Sequence, residues 1–120
     1  FVPRWARYPF EIWVAPHRRV SQVYDLDNEE IKNLSHLLLE SSKMLDKVFD
    51  EPMPYTLAWQ IAPKGYHDSH HLHWCFQPIK RSKTKLKYLA GVEQITGFYL
   101  VDLPPERSAK ILRGEEDADE

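Results

Sequence analysis

The stretch His71-Leu72-His73-Trp74-Cys75-Phe76-Gln77 alternates in side-chain character with a period of two residues, which is typical of a β-strand. Leu72, Trp74 and Phe76 would share one face of this strand, and the opposite face would carry His71, His73, Cys75 and Gln77. Four of the six histidines lie between Gly65 and Gln77, since the preceding loop contributes His67 and His70. Imidazole can ligate metal, transfer protons or bind phosphate near neutral pH. We therefore expect one face to pack in a core and the other to support chemistry.

The residues alone leave three interpretations of the histidine face open. His71 and His73 are two positions apart, so both can reach one zinc or iron ion from the same side of a strand. His73 could instead act as a nucleophile if a second group orients its ring, with His71 and Cys75 beside it. The third interpretation is simple hydrogen bonding within a polar sheet face.

A long helix is predicted upstream of this strand. Asp27 can cap its N-terminus, and Glu30 follows three residues later, as in a capping box. Pro52 is expected to end the helix. An apolar stripe at helical spacing runs between these limits: Ile31, Leu34, Leu38, Leu45, Val48 and Phe49. We expect this helix to provide core packing and no chemistry.

Two further strands and a short helix complete the predicted fold. Residues 10–15 and 55–62 are strand-like runs that end at prolines. Pro104 and Pro105 begin a short helix, and Gly114 ends it. Elements of these types in this order predict an α+β domain with the long helix packed on one face of a sheet. We expect this domain to span residues 1–114 and to be followed by an acidic, disordered tail at 115–120.

Composition restricts the class of protein. A chain of 120 residues with 42% hydrophobic and 28% charged residues is typical of one soluble globular domain. The net charge of −2 gives no general reason to expect nucleic acid or a membrane surface as a partner. No apolar run approaches the roughly 20 residues of a membrane-spanning helix. The single cysteine, Cys75, fits a reducing compartment such as the cytoplasm.

Two segments downstream of the histidines carry further candidate ligand-binding residues. Residues 80–87 are rich in lysine and arginine, as in either a solvated loop or an anion-binding segment. Residues 88–100 contain Gly91 and Gly97, and glycine permits unusual backbone angles or the close approach of a ligand. Glu93 lies between these glycines as a lone acid among mostly apolar residues.

Several short motifs, taken in their order along the chain, resemble the C-terminal half of the galactose-1-phosphate uridylyltransferase family, a branch of the histidine-triad superfamily. The motifs are Trp5, Pro9-Phe10-Glu11, Met53-Pro54-Tyr55, Trp59, Ala62-Pro63, His71-Leu72-His73, Arg81-Ser82, Lys87-Tyr88, Gly91-Val92-Glu93, Pro105-Glu106, Ala109 and Leu112-Arg113. Each motif is weak alone, but their order and spacing are specific. The resemblance implies an α+β fold of HIT-like type, in which an antiparallel sheet packs against one long helix and a short helix ends the chain.

This resemblance implies transfer of a uridylyl group between UDP-glucose and a hexose 1-phosphate through a covalent uridylyl-histidine. In the family, the N-terminal half carries the nucleophilic histidine in a His-Pro-His-X-Gln motif, together with a structural zinc site. The present sequence lacks that motif, since Leu72 and Cys75 replace its proline and glutamine. We therefore expect no catalytic residue in this chain, with His73 as the alternative. The implied partners are the N-terminal half of the same protein and a second subunit in a homodimer.

A metal site is the first set of residues that the resemblance implies. Bacterial members use three histidines of the C-terminal half to bind a second metal, usually iron. His71 and His73 match two of these ligands, but Gln60 occupies the position of the third. An amide is a poor substitute for imidazole, so the resemblance leaves open whether iron or zinc is bound here or the site is empty.

A sugar-phosphate site is the second set. Lys87, Tyr88, Val92 and Glu93 match the family's segment that contacts the sugar and its phosphates. A lysine offsets phosphate charge, and a carboxylate accepts hydrogen bonds from sugar hydroxyls. Tyr99 stands where the family has a glutamine contact, which leaves the preferred hexose open and permits an alternative, a phosphorylase that acts on an ADP-sugar.

Three hypotheses for function therefore stand at this point. The first is the sugar-binding, dimer-forming C-terminal half of a hexose-1-phosphate uridylyltransferase. The second is a stand-alone nucleotide hydrolase that uses His73, and the third is a module that binds nucleotide-sugars or metal without catalysis. The chain begins at Phe1 without a methionine, and we expect it to be part of a longer protein, which favours the first hypothesis.

Overall fold

The computed structural model describes residues 1–118, and their architecture is α+β as predicted. Strands β1 (Ile12–Val14), β2 (Tyr55–Gln60) and β3 (His73–Pro78) form an antiparallel sheet in the order β1-β3-β2. Strand β3 is therefore central among these strands, and Phe76 pairs with Ile12 on one side and with Leu57 on the other. The alternating stretch that begins at His71 thus contains the central strand of the sheet.

The two faces of β3 differ as the alternation predicts, with one exception. Leu72, Trp74 and Phe76 are buried in the hydrophobic core, while His73 and Gln77 are only half-buried on the other face. Cys75 shares the histidine face but is buried. In register it lies between Trp13 of β1 and Ala58 of β2, so its neighbours shield it from both sides.

Helix α1 (Asn28–Lys47) is the long helix, and its start is the predicted one. The Asp27 side chain accepts a hydrogen bond from the Glu30 backbone N–H (2.8 Å), and the Glu30 carboxylate accepts one from the Asp27 N–H (2.9 Å). The helix ends at Lys47, before the predicted limit at Pro52. Residues 48–50 form a turn in which Asp50 has a positive φ of 53°, so Val48 and Phe49 pack beyond the helical part of the stripe.

The core lies between α1, the inner face of the sheet and the C-terminal helix α3 (Pro105–Leu112). Its buried side chains are Phe10, Ile12, Val14, Val20, Leu26, Leu45, Phe49, Met53, Leu72, Trp74, Phe76, Ile111 and Leu112. Pro105 occupies the first turn of α3, where its missing N–H costs nothing. The short C-terminal helix is thus confirmed.

A third helix, α2 (Gly91–Thr96), was not predicted. Gly91 is its first residue, and Gly97 ends it with a left-handed φ of 73°. Glycine adopts that conformation without the steric cost of a Cβ atom. The two glycines that suggest an irregular ligand loop therefore delimit a short helix.

The end of the described chain contacts the domain. Glu116 pairs with Arg107 of α3 (2.6 Å), and Ala118 packs against the core. Residues 119 and 120 of the predicted acidic tail lie outside the described residues, and the domain boundary at 114 stays a prediction. None of the helices in residues 1–118 has the length and apolar character needed to cross a bilayer.

Candidate functional site

The histidines at the start of β3 donate hydrogen bonds to backbone carbonyls. The His70 ring reaches the carbonyl oxygen of Gln60 (2.8 Å), and the His71 ring reaches that of Pro16 (2.8 Å). The His73 Nδ1–H donates to the carbonyl of His71 (2.8 Å). Each of these rings therefore joins β3 or its preceding loop to backbone nearby, a role that sequence spacing alone could not assign.

The His73 ring is further fixed by stacking. It lies on Trp13 with ring centroids 4.5 Å apart and an interplanar angle of 17°, and His70 stacks at 5.7 Å. The Trp13 Nε1–H donates to the Glu11 carboxylate (2.6 Å), which also accepts the backbone N–H groups of Arg7 and Tyr8. Glu11 is almost fully buried, so it holds Trp13, and through it His73, in one orientation.

His71 and His73 could supply part of the ligand set of a metal ion. The Nδ1 of His73 and the Nε2 of His71 donate to carbonyls, which leaves the other ring nitrogen of each as the one that could ligate a metal, and such second-shell bonds are common at metal-binding histidines. Gln60 is the register partner of His73 and adds only an amide to this end of the sheet. Within residues 1–118, no three His, Cys, Asp or Glu side chains are grouped so that they could hold a metal ion. The residues fit a metal only with a ligand from outside these residues.

The thiol of Cys75 is not suited to nucleophilic chemistry. Burial, followed by the negative charge of Glu11, raises the pKa of Cys75 to about 11. The reactive thiolate is therefore scarce at neutral pH. Cys75 belongs to the packing of the sheet.

Lys87 and Glu93 form a buried ion pair at the base of the segment 87–100. The Lys87 Nζ lies 2.9 Å from a Glu93 carboxylate oxygen and donates a second hydrogen bond to the Leu100 carbonyl (2.8 Å). The two side chains are only 6% and 1% exposed. Together they join the two ends of the segment, with α2 between them.

The Glu93 carboxylate is bonded on both oxygens. It accepts the backbone N–H groups of Ala90 (2.6 Å) and Leu100 (2.9 Å) in addition to Lys87. The Ala90 hydrogen bond, then Lys87, then the Leu100 hydrogen bond lower the pKa of Glu93 to about 2. Glu93 is thus ionised at physiological pH, and its first role in this structure is to shape the backbone of the segment.

The other predicted sugar-phosphate residues lie on the outside of this segment. Tyr88 is 78% exposed and Val92 is 46% exposed. Tyr99 is half-buried, and the Arg7 guanidinium lies over its ring, 4.9 Å from the centroid. The structure therefore brings Lys87, Glu93 and Tyr99 into one segment, and it adds Arg7 from the N-terminal residues.

The predicted metal residues are separate from this segment in the fold. His71 and His73 lie at the start of β3, and none of their hydrogen bonds or ring contacts involves residues 87–100. Arg7, Glu11 and Trp13 were missed as site-forming residues. For Arg7 the sequence signal was the cluster of aromatic and basic residues before Pro9, which has no period to interpret, whereas Glu11 and Trp13 lie in the predicted strand 10–15, where nothing marks them as site residues.

Two solved structures of nucleotidyl-transferring enzymes contain a domain with this arrangement. The chain superposes with a TM-score of 0.88 and 31% identity on a structure described as a uridylyltransferase, covering 96% of this chain and 37% of that one. It also matches an ADP-glucose phosphorylase from Arabidopsis thaliana with bound ADP-glucose, with a TM-score of 0.78 and 27% identity over 93% of this chain and 35% of that one. The fold is that of a domain found in uridylyltransferases.

Sequence comparison identifies the family. The profile described as "Galactose-1-phosphate uridyl transferase, C-terminal domain" matches residues 1–119, and the chain belongs to this family. A galactose-1-phosphate uridylyltransferase from Thermotoga maritima is 37% identical over 118 residues, covering 96% of this chain and 37% of the relative. One from Haemophilus influenzae is 34% identical, covering 93% and 33%. The chain thus spans about a third of the length of these relatives.

Proposed function

We propose that this chain is the C-terminal part of a UDP-glucose:hexose-1-phosphate uridylyltransferase that acts in galactose metabolism. The observation that carries the proposal is the family match over residues 1–119. The reaction transfers a uridylyl group between UDP-glucose and a hexose 1-phosphate. Its nucleophilic histidine belongs to the N-terminal part of the protein, and this chain contributes sugar-phosphate binding.

The segment 87–100 provides the proposed sugar-phosphate contacts. Tyr88 and Val92 are exposed and can touch a ligand directly, while Tyr99 offers an aromatic edge. Lys87 and Glu93 are buried and paired with each other, so they contribute by holding the exposed residues of the segment in place.

The N-terminal part of the same polypeptide is the proposed partner for strand β2. Trp59 is 62% exposed, and Tyr55 and Leu57 lie on the same face of this strand, beyond the area that α1 covers. Large apolar side chains that alternate along an outer strand are typical of a surface that another element covers. With about a third of the relatives' length present here, the rest of the protein supplies that element.

A homodimer is the proposed assembly, and the segment 87–100 is its contact region. Ile95 and Phe98, on and directly after α2, are 87% and 77% exposed. Contiguous exposed apolar groups favour a protein partner over solvent. The measurement that checks this is the molar mass of the full-length protein in solution, where a monomer would contradict the proposal.

Iron or zinc at His71 and His73 is part of the proposal, with the remaining ligands supplied by the rest of the protein. Such an ion would polarise or orient bound groups, while the structural zinc of the family belongs to the N-terminal part. Metal content decides this point. Stoichiometric metal that is lost in the variant His71→Ala, His73→Ala would support ligation, and a metal-free native protein would reject it.

A cytoplasmic location is proposed on one observation. Cys75 is the single cysteine, so no disulfide can form within the chain, and its side chain is buried. Fractionation of cells that express the full-length protein checks the compartment.

An ADP-sugar phosphorylase is the second candidate function. The specific observations that favour it are the structural match to an ADP-glucose phosphorylase and the presence of Tyr99 in place of a glutamine. In this alternative, inorganic phosphate would attack the nucleotidyl group and release a sugar 1-phosphate. The nucleoside is what distinguishes the two candidates.

The deciding experiment uses the full-length protein with UDP-glucose and galactose 1-phosphate, and follows UDP-galactose and glucose 1-phosphate. We expect transfer of the uridylyl group, and residues 1–120 alone should be inactive. Absence of transfer to any hexose 1-phosphate would reject the proposal, and turnover of ADP-glucose with phosphate would favour the second candidate. Nucleotide hydrolysis by residues 1–120, lost in His73→Ala, would instead support a stand-alone hydrolase.

A further inference from the structure

The lysine of the proposed sugar-phosphate segment is poorly placed to bind a phosphate. The Lys87 ammonium donates to Glu93 and to the Leu100 carbonyl, and its remaining side faces the Tyr8 ring at 5.8 Å. The Lys87 side chain is almost fully buried. A phosphate contact would have to break a buried ion pair, which leaves a carboxylate unpaired. The cation for the phosphate therefore has to come from elsewhere.

Arg7 is the cation that the fold brings to this segment. Its guanidinium lies over the ring of Tyr99, 4.9 Å from the centroid, although the two residues are far apart in sequence. Arg7 is exposed, and among residues 1–118 no carboxylate lies within ion-pair distance of it. In contrast, Arg81 is paired with Asp102.

The position of Arg7 over the Tyr99 ring also prepares it for an anion. A guanidinium held over an aromatic ring keeps N–H groups free for other partners, and its planar fork matches two oxygens of a phosphate. The ring beneath it is itself supported, because Tyr8 and Tyr99 are in contact with centroids 6.4 Å apart. The side chain therefore loses little further conformational freedom when a ligand binds.

We propose that Arg7, held over the Tyr99 ring, binds the phosphate group of the sugar phosphate and so takes the role that the family resemblance implies for Lys87. This inference rests on the proposed function. It identifies Tyr99 as the platform for an arginine in addition to its place beside the sugar. It also explains how the segment can bind an anionic ligand while the ion pair between Lys87 and Glu93 stays intact.

The test measures binding of glucose 1-phosphate to the full-length protein by calorimetry, for wild type, Arg7→Ala, Arg7→Lys and Arg4→Ala. Losing a charged hydrogen-bonding group should raise the dissociation constant about tenfold in Arg7→Ala. Arg7→Lys keeps the charge without the planar fork and should give an intermediate rise. Arg4 lies in the same N-terminal stretch without a contact to Tyr99, so Arg4→Ala is the matched control and should bind as wild type does.

The outcomes separate this inference from the function on which it rests. Equal dissociation constants for Arg7→Ala and Arg4→Ala would overturn the role of Arg7, while uridylyl transfer by the wild type would leave the proposed function intact. A wild type that neither binds glucose 1-phosphate nor transfers uridylyl groups would remove both. Because Arg7 is exposed, all variants should unfold at the wild-type temperature, which is checked in parallel.

Discussion

The start of β3 and the segment 87–100 both carry candidate chemistry, but they differ in how the polar groups are used. At the start of β3, His70, His71 and His73 donate to backbone carbonyls and present imidazole rings at one end of the sheet. In the segment 87–100, two opposite charges are buried against each other beneath an exposed surface. The histidines therefore serve in part to hold the backbone in place, whereas Lys87 and Glu93 fix the conformation of the segment 87–100.

This difference shows that a cluster of functional residue types and a functional surface need not coincide. Imidazoles that are bonded to carbonyls stabilise a fold whether or not they bind metal. A buried ion pair, in contrast, adds little net stability compared with apolar packing, but it is costly to break. It therefore specifies one conformation for the segment that it holds. Substitutions in the two regions should consequently affect different properties of the protein.

The largest expected effect concerns the stability that β3 provides. Phe76 is fully buried between Ile12 and Leu57, so Phe76→Ala should lower the free energy of unfolding by about 3–5 kcal/mol. The neighbouring Gln77 points to the opposite face, and Gln77→Ala should change it by only about 0.5 kcal/mol. Denaturant unfolding of the full-length protein measures both. Similar losses for the two variants would mean that the faces of β3 are not distinct.

The next effect should appear in activity. Lys87→Met leaves the buried Glu93 carboxylate without its cation, so the segment 87–100 should shift and uridylyl transfer should fall about 100-fold. Lys85→Met changes an exposed lysine of the neighbouring loop and is the matched control. If Lys87→Met and Lys85→Met transfer uridylyl groups equally well, the ion pair does not organise this segment.

A third prediction follows from the lowered pKa of Glu93. A carboxyl group whose pKa is lowered on folding stabilises the folded state above its unfolded pKa of 4.5, and this contribution disappears as the pH falls toward about 2. The order of the segment 87–100 should therefore decrease between these pH values. Glu93→Gln should remove that dependence. Amide hydrogen exchange of residues 87–100 at several pH values measures it, and an identical pH profile for wild type and Glu93→Gln would contradict it.

The sequence predicted those parts of the fold that local chemistry determines. The capping pair Asp27 and Glu30 located the start of α1, and the alternation at 71–77 located β3 and its core face. The segment around α2 could not be predicted in this way, because Gly91 and Gly97 are equally typical of a helix boundary and of a flexible loop. Its structure depends on the Lys87 and Glu93 contact, which forms only in the folded chain.

The candidate site was predictable as a list of residues but not as an arrangement. Lys87, Tyr88, Val92, Glu93 and Tyr99 were selected by resemblance, and their roles as ligand contacts stay predictions. Which of these side chains are exposed to a ligand is decided by the tertiary structure, which buries Lys87 and Glu93 and leaves Tyr88 and Val92 at the surface. Arg7 could not be found from its neighbours in sequence, because its partner Tyr99 is distant along the chain and only the fold brings the two side chains together.

The smallest expected effect tests whether the histidines are structural ties. His71→Ala removes a hydrogen bond from an exposed ring to the Pro16 carbonyl and should lower the free energy of unfolding by about 1 kcal/mol. His36→Ala, on the exposed face of α1, is the control and should be near neutral. Both are measured by denaturant unfolding with and without a chelator. A carbonyl hydrogen bond is insensitive to chelator, whereas a metal ligand is not, since a metal that binds only the folded state stabilises it. If chelator destabilises the wild type and abolishes the difference from His71→Ala, His71 acts through a metal and the hydrogen bond is secondary.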